Sequence, residues 1–303
     1  MGFKEGLKKR TETIEGIIRE YAPEETGLYK NVCRAMNYSL MAGGKRLRPM
    51  LMQETWRLFG GKEEKLLQPF MAAIEMIHTY SLIHDDLPAL DNDDYRRGKK
   101  TSHKVFGEAM AILAGDGLLN YAFETACKAM DAVEDEKQLA KVAQALRVLA
   151  VKPGLAGMLG GQVVDVEMEG KPIGKDVLDF IHERKTSALI ECSMMIGAIL
   201  AGAGGEEVTG IEQAARKIGL AFQIQDDILD VTSSLEVLGK PVYSDEKNEK
   251  TTYVSLMGIE AAAGQVEKLS NDALSIIRGL CDAGGYANPF LEELLKALIH
   301  RKK

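Results

Sequence analysis

A cluster of aspartates between residues 81 and 101 is the first part of this sequence that could do chemistry. The stretch SLIHDDLPALDNDDYRRGKKT follows an apolar segment, so its first carboxylates leave an element that is itself buried. Pro88 then bends the chain and can bring Asp91 back toward them. Carboxylates grouped on one rigid wall hold hard cations, and Mg²⁺ takes one or two of them together with substrate phosphate oxygens. The aspartates concerned are Asp85, Asp86, Asp91, Asp93 and Asp94.

A solvated acidic loop and a calcium-binding loop are the alternatives for this stretch. A run of charged residues is most often a solvated surface, but this run is entered directly from apolar residues. A calcium loop beginning at Asp91 would need glycine at its sixth position and glutamate at its twelfth. The sequence has Arg96 and Ser102 at those positions, so the calcium alternative fails and a magnesium site is favoured.

A second acidic cluster occurs in FQIQDDILDV, residues 222–231. Asp226 and Asp230 are four residues apart and therefore lie one above the other on a helix face, with Asp227 beside them. Three carboxylates in so apolar a segment would repel one another and resist desolvation unless a cation joined them. A buried salt-bridge network is the structural alternative. We favour a metal site, because the chain already carries another acidic cluster.

A short basic motif, GGKRLRP at residues 43–49, is the third candidate. Two glycines let a ligand approach the backbone, and Lys45, Arg46 and Arg48 follow them. Arginine offers forked hydrogen bonds and lysine a point charge, which together suit a diphosphate. Basic loops are usually only solvated, so the motif gains weight from the acidic clusters. The sequence has neither the Walker nor the Rossmann glycine pattern.

Helical periodicity recurs along almost the whole chain and supplies the elements that must hold these residues. No Asn-Gly turn or sustained alternation predicts a hairpin, and QVVDVEME (162–169) is predicted as helix, with a strand as the alternative. No linker or internal repeat divides the chain, so residues 1–303 are predicted to form a single all-helical domain. Long helices are expected over 64–86, 105–131, 175–202 and 206–232.

Composition excludes several classes of protein. The chain has 303 residues, 38 Lys+Arg against 45 Asp+Glu and a net charge of −7, which argues against a nucleic-acid partner. The longest uncharged apolar stretch, 192–205, is shorter than the roughly 20 residues that a membrane span needs. The N-terminus lacks a secretory signal, and the four cysteines have no paired spacing. We therefore expect a cytoplasmic protein with no membrane span.

Six motifs in order give the sequence a family resemblance: GGKRLRP, DDLPALD, RRG, AILAGD, Lys185-Thr186 and FQIQDDILD. With them the chain resembles the trans-polyprenyl diphosphate synthases, most closely the bacterial farnesyl diphosphate synthases. The match runs from about residue 43 to residue 253, and both ends match only as helical sequence. The resemblance implies an all-α, single-domain bundle of long antiparallel helices around a deep central cavity, commonly in a homodimer.

The resemblance also implies a reaction and its metal. In the family the two Asp-rich motifs face each other across the cavity mouth and hold three Mg²⁺ ions, with Mn²⁺ as an alternative metal. The metal clamps the diphosphate of an allylic substrate, whose departure leaves a carbocation that isopentenyl diphosphate attacks. Loss of a proton gives a chain five carbons longer. The metal positions are Asp85, Asp86 (or Asp91) and Asp226, with Asp91, Asp227 and Asp230 binding directly or through water.

Substrate contacts follow from the same motif positions. Lys45, Arg48, His78 and Arg97 match the isopentenyl diphosphate positions, and Arg96, Lys185, Lys240 and Lys250 match the allylic diphosphate positions. Thr186 and Gln223 match groups whose oxygens lie near the developing cation. Without this context His78 would be taken for a core histidine, and Lys250 for a surface lysine. The expected catalytic residues are Asp85, Asp86, Arg96, Lys185, Thr186, Gln223 and Asp226.

Product length depends on Tyr80 and Ser81, five and four residues before Asp85. On a helical wheel Ser81 lies about 40° and Tyr80 about 140° from Asp85, which by itself favours Ser81 as the facing residue. The resemblance associates an aromatic residue at the Tyr80 position with a C15 product. We therefore predict farnesyl diphosphate as the product, with geranylgeranyl diphosphate (C20) as the alternative. The structural alternative is that Tyr80 is only an aromatic residue of the core.

Two other classes of protein are less favoured. A non-catalytic partner subunit typically loses one Asp-rich motif, and both are intact here. A terpene cyclase usually lacks the second motif and the basic set built on Lys45 and Arg48, which this chain carries.

Overall fold

The computed structural model describes residues 2–232 and 251–299, and almost all of this part of the chain is α-helical, as the sequence predicts. Two two-residue strands, β1 (Tyr95–Arg96) and β2 (Lys99–Lys100), interrupt the helices. A short 3₁₀ helix (Lys128–Ala132) follows the sixth helix. The helices are α1 Phe3–Glu20, α2 Lys30–Leu40, α3 Leu47–Leu58, α4 Glu64–Asp85, α5 Ser102–Phe106, α6 Glu108–Cys127, α7 Glu136–Val151, α8 Met158–Glu167, α9 Lys175–Ile181, α10 Ala188–Ala201, α11 Gly205–Thr232, α12 Tyr253–Met257, α13 Ile259–Gly284 and α14 Pro289–Ile299.

Contacts between residues divide the chain into two compact units. The first comprises Met1–Gln53 and Lys62–Leu146, and the second comprises Glu54–Gly61 and Arg147–Lys303. The prediction of one domain over residues 1–303 therefore stays a prediction, as does a shared central cavity. Among the described residues, no helix is both long and apolar enough to cross a membrane.

Helix α4 is the centre of the first unit, and its middle turns are buried on every side. It packs against α6, whose facing residues are small, which lets the two helices approach closely. Gly115 in the AILAGD motif shows why: a Cβ atom there would lie 2.1 Å from Nε2 of His84. The small side chains of that motif thus set the position of the last turn of α4, which carries the first Asp-rich motif.

A hairpin follows that motif, and the prediction that the chain contains none was wrong here. Strand β1 (Tyr95–Arg96) pairs antiparallel with β2 (Lys99–Lys100). The turn residues Arg97 and Gly98 have φ angles of 53° and 74°, the left-handed conformation that a tight hairpin turn needs. Arginine rarely adopts it, so the Arg97-Gly98 sequence gave no turn signal.

The single helix predicted over residues 105–131 was also wrong in part. Gly107, with φ of 84°, separates α5 from α6, and α6 passes into the 3₁₀ helix at Lys128. A glycine in this conformation ends one helix and begins another without the steric cost that a side chain would meet. The helix predicted over residues 162–169 is confirmed by α8.

In the second unit, α11 packs along α13 and α10. The stretch predicted as one helix over 175–202 is helical throughout, but residues His182–Ser187 form a π-helical turn between α9 and α10. Gly219 of α11 allows a close approach to this turn, because a Cβ atom there would lie 2.3 Å from Oγ of Ser187. π turns are frequent at functional sites, and this one contains the Lys185-Thr186 motif.

Candidate active site

The last turn of α4 buries one carboxylate of the first Asp-rich motif. Asp86 is 4% exposed, and its Oδ1 accepts hydrogen bonds from Nε and Nη2 of Arg96 at 2.6 and 2.5 Å. The backbone N–H of Asp91 donates to the carbonyl of Asp85 at 2.9 Å, so the chain folds back after Pro88 as the sequence predicts. The structure thus brings Asp85, Asp86 and the backbone of Asp91 to one place.

Burial and the ion pair act in opposite directions on the titration of this pair. Burial raises the pKa of Asp86, and the hydrogen bond from Arg96 only partly offsets that effect. Burial alone would lower the pKa of Arg96, but the hydrogen bond and charge of Asp86 outweigh it and raise that pKa. The arginine therefore stays charged at the edge of the acidic motif.

A group of cations surrounds His78 in the same unit. Burial lowers the pKa of Arg48 to about 10; the charge of Glu75 opposes this effect and the charge of Arg97 adds to it. Burial, followed by the charges of Arg48, Arg97 and Arg96, holds the pKa of His78 well below its ordinary value. Nε of Arg48 is buried and has no hydrogen-bond partner among the described residues. So much positive charge with an unsatisfied donor is the electrostatic signature of an anion site.

Both glycines of GGKRLRP have a structural reason: Gly43 has a φ of 86°, and Gly44 lies in close contact with Arg97. Nη1 of Arg97 donates to the carbonyl of Gly43 in a very short hydrogen bond. Gly44 has φ of 136°, and a Cβ atom on it would lie 2.8 Å from the guanidinium carbon of Arg97. The hairpin turn and the basic motif, which are 54 residues apart, thus form one surface.

Arg46, the middle cation of the motif, does not point to a ligand. Its side chain is buried in ion pairs with Glu15 and Glu75. The expectation that all three basic residues of the motif recognise an anion was therefore wrong for Arg46. Lys45 is exposed and Arg48 is half-buried.

The neutral state of His78 leads to a testable pH dependence of stability. The unfolded chain protonates this histidine near pH 6.5, whereas the folded chain keeps it neutral below that pH. The unfolded state then binds more protons, so the free energy of unfolding falls as the pH decreases below about 6.5. Between pH 7.5 and 5.5 this residue should account for a loss of about 1.4 kcal/mol. Urea unfolding of the wild type and of His78→Gln at both pH values measures it. An equal loss in the two proteins would contradict the assignment.

The second Asp-rich motif lies on α11, and its central carboxylate is held by protein groups. Asp227 is 3% exposed, and its Oδ2 accepts the backbone N–H of Tyr253 at 2.9 Å. Nε2 of Gln223 donates to Oδ1 at 3.5 Å, and Nε2 of His182 lies 3.7 Å from Oδ2. The side chain of His182 is stacked on the ring of Tyr253. The contacts of Asp227 therefore agree with the alternative of a buried polar network. The sequence predicted none of these contacts.

The Lys185-Thr186 motif lies beside Asp227 in a pocket that Asp165, His182 and Gln223 also line. Nζ of Lys185 donates to Oδ2 of Asp165 at 2.7 Å. The hydroxyl of Thr186 donates to Oε1 of Gln223 at 3.0 Å. The structure thus brings Lys185, Thr186, Gln223 and Asp227 together.

Sequence reasoning missed three residues of this pocket and its wall: Asp165, His182 and Tyr253. Asp165 offered a signal, since it is an acidic residue in an otherwise apolar stretch three residues after Gln162. His182 offered a weaker one, three residues before Lys185. Tyr253 gave none, because its importance comes from a backbone N–H group.

The remaining predicted residues belong to the metal site, the chain-length position and the loop lysines. Asp226 is half-buried and Asp230 is buried on the helix that the sequence predicts, one turn apart. Tyr80 is buried with its ring edge-on to His84, and the hydroxyl of Ser81 donates to the carbonyl of His78. Lys240 and Lys250 lie outside the described residues.

The donor set fits a magnesium ion that is completed by its substrate. Within residues 2–232 and 251–299, no three histidine, cysteine or acidic side chains converge on a single point. Mg²⁺ uses only one or two carboxylates together with phosphate oxygens, so the adjacent Asp85 and Asp86 satisfy its requirements.

Comparison with known proteins identifies the family. The polyprenyl synthetase family profile matches residues 29–276. The chain is 43% identical over 303 residues to a farnesyl diphosphate synthase of Geobacillus stearothermophilus, covering 99% of both. It is 44% identical over 271 residues to a geranylgeranyl diphosphate synthase of Cyanophora paradoxa, covering 88% of this chain and 87% of that one.

A solved structure agrees with these matches. A geranyltransferase from Helicobacter pylori, complexed with magnesium and isoprenyl diphosphate, superimposes with a TM-score of 0.82 at 31% identity. The superposition covers 99% of this chain and 97% of that one. The chain therefore belongs to the polyprenyl synthetase family, as its motifs predict.

Proposed function

We propose that this prenyltransferase condenses isopentenyl diphosphate head-to-tail with dimethylallyl and then geranyl diphosphate, giving farnesyl diphosphate. The observation that carries the proposal is the anion site of Arg48, His78 and Arg97. Arg48 and Arg97 place two positive charges beside the neutral His78, and Glu75 opposes them only in part. A diphosphate would supply further negative charge and an acceptor for Nε of Arg48. Lys45, exposed in the same motif, adds a further cation.

Allylic substrate would bind through the Lys185 pocket. Lys185 offers a point charge to the departing diphosphate, and Arg96 adds a second cation at the first Asp-rich motif. The oxygens of Thr186 and Gln223, already hydrogen-bonded to each other, would lie near the carbocation and stabilise its charge. Because their positions are fixed before the substrate ionises, little reorganisation is needed during the reaction.

Magnesium, when bound, supplies the charge that makes the diphosphate a good leaving group. The magnesium in the Helicobacter pylori structure supports this choice of metal. We propose three ions, with Mn²⁺ as a possible replacement, held by carboxylates of the two motifs. Those carboxylates would be Asp85, Asp86, Asp91, Asp226, Asp227 and Asp230. Asp227 would bind directly or through water, while its Oδ2 accepts the backbone N–H of Tyr253.

A C15 product is favoured over C20 because of the bulk of Tyr80 and the full-length match to a farnesyl diphosphate synthase. The similar identity to a geranylgeranyl diphosphate synthase keeps the C20 product as the alternative. A homodimer and a cytoplasmic location remain predictions from the sequence. Light scattering of the purified protein tests the first of these.

One incubation tests the proposal. The enzyme is given Mg²⁺, dimethylallyl diphosphate and isopentenyl diphosphate, and the products are identified by mass. A C15 diphosphate is expected, and a C20 diphosphate would favour the alternative product. A hydrocarbon would indicate a terpene cyclase, and no condensation at all would indicate a non-catalytic subunit.

A further inference from the structure

The side chain of Arg46 is a buried cation of the first unit whose hydrogen bonds are all made. It is 2% exposed, and each of its three nitrogens has an acceptor. Nε donates to Oε1 of Glu15 at 2.6 Å, Nη1 to Oε1 of Glu75 at 2.7 Å and Nη2 to the carbonyl of Leu40 at 2.8 Å. Three separate elements, α1, α4 and the end of α2, therefore meet at one guanidinium.

This buried cation lies in the same motif as Lys45 and Arg48. Lys45 precedes it directly and Arg48 follows two residues later. The backbone of Arg46 has φ of 47°, a conformation that costs free energy in any residue with a side chain. Its three hydrogen bonds hold the chain in that conformation, and the direction in which Lys45 and Arg48 leave the turn depends on it.

Glu15 is the partner that ties the turn to the N-terminal helix. Its carboxylate is about a quarter exposed, while the neighbouring residues Ile14, Ile17 and Ile18 bury that side of α1 in the core. The helix is therefore a fixed support, and Glu15 is its one acceptor for Arg46 among the described contacts. Removing that acceptor frees Nε of a buried arginine, which would turn to recover a partner.

We propose that Glu15 and Arg46 are positioning residues for the isopentenyl diphosphate site, fixing the turn from which Lys45 and Arg48 reach the substrate. The proposal rests on the proposed function, since it names a part of the same binding site. Neither residue touches the substrate. Arg46 acts through the backbone that it shares with Lys45 and Arg48, and Glu15 acts through Arg46.

Three variants on one helix separate positioning from simple charge. Glu15→Ala removes both the charge and the acceptor, whereas Glu15→Gln removes the charge and keeps an acceptor oxygen. Glu12→Ala is the matched control, because Glu12 is exposed and, among the described contacts, pairs with Lys8, 4.0 Å away on the same helix. The KM for isopentenyl diphosphate is measured at saturating geranyl diphosphate, and the KM for geranyl diphosphate at saturating isopentenyl diphosphate.

Positioning predicts a rise of about tenfold in the KM for isopentenyl diphosphate in Glu15→Ala. The KM for geranyl diphosphate should stay within about twofold, and Glu15→Gln should restore most of the loss. If charge alone mattered, both Glu15 variants would make the site more positive and lower this KM equally, which would overturn the proposal. An unchanged KM with a fall only in kcat or in melting temperature would show a structural role and would overturn it too.

A double-variant comparison tests the route through Arg46. Once Arg46 is replaced in Arg46→Lys, the Glu15→Ala change should add less than about twofold to the KM for isopentenyl diphosphate. Fully additive effects would show that Glu15 does not act through Arg46. The wild-type protein serves as the check on the proposed function: if it catalyses no condensation, that function fails, whereas wild-type turnover with equal KM values in Glu15→Ala and Glu12→Ala overturns only this inference.

Discussion

Asp86→Asn is expected to lower kcat at least about a hundredfold and to raise the Mg²⁺ concentration needed for half-maximal rate. Asp86 is the buried carboxylate of the first Asp-rich motif, and two nitrogens of Arg96 fix its Oδ1. An amide at this position has no charge to hold the metal. It also removes the closest charge partner of Arg96, whose side chain is about a third exposed and whose next carboxylate, Asp93, lies 3.6 Å away. Steady-state rates at a series of Mg²⁺ concentrations measure the effect.

Asp94→Asn is the matched control for that variant. Asp94 belongs to the same run of aspartates, but it is exposed and pairs with Lys104 at 2.7 Å, a contact of a kind that contributes little to stability. The kcat of the Asp94→Asn enzyme should stay within about twofold of the wild-type value. A melting curve of each variant separates loss of fold from loss of metal. An Asp86→Asn enzyme with the wild-type rate and Mg²⁺ dependence would remove this carboxylate from the metal site.

Tyr80→Ala is expected to change the main product from C15 to C20 or longer. The ring of Tyr80 is buried in the penultimate turn of α4, edge-on to His84, and truncation to a methyl group leaves a cavity. If this ring forms the floor of the hydrocarbon site, a growing chain can extend into the space it vacates. Chromatography and mass measurement of the prenyl products give the distribution of chain lengths.

Tyr80→Phe is the control for chain length, because it keeps the bulk of the ring and removes only the hydroxyl. It should still stop at C15. A Tyr80→Ala enzyme that also stops at C15 would mean that the ring is only part of the core, and Ser81, which the helical wheel favours, would become the residue to enlarge.

Local spacing is what made much of this structure predictable. The sequence predicts a helix over 206–232, and α11 spans Gly205–Thr232, so the one-turn separation of Asp226 and Asp230 followed directly. The return of the chain at Pro88 was likewise visible, because a proline bend acts on its immediate neighbours. Both features depend on residues that lie within a few positions of each other.

Contacts between distant residues account for what the sequence could not predict. Arg46 looks like its basic neighbours until Glu15, 31 residues away, is placed beside it. For Asp227 the sequence left direct and water-bridged metal binding open, and it did not show that the backbone N–H of Tyr253, 26 residues later, donates to this carboxylate. In both cases burial and hydrogen-bonding partners set the role of the charge, and no local pattern carries that information.

The π turn at His182–Ser187 separates the orientation of its own side chains from the packing of α10. A π turn holds one residue more than an α turn, so the faces of α9 and α10 are out of phase by about 100°. Helix α10 is buried on nearly all sides and cannot rotate without losing its packing. The extra residue lets Lys185 and Thr186 take an orientation that an uninterrupted helix in the same place could not give them. Substitutions can therefore change the core residues of α10 and the side chains of Lys185 and Thr186 independently of each other.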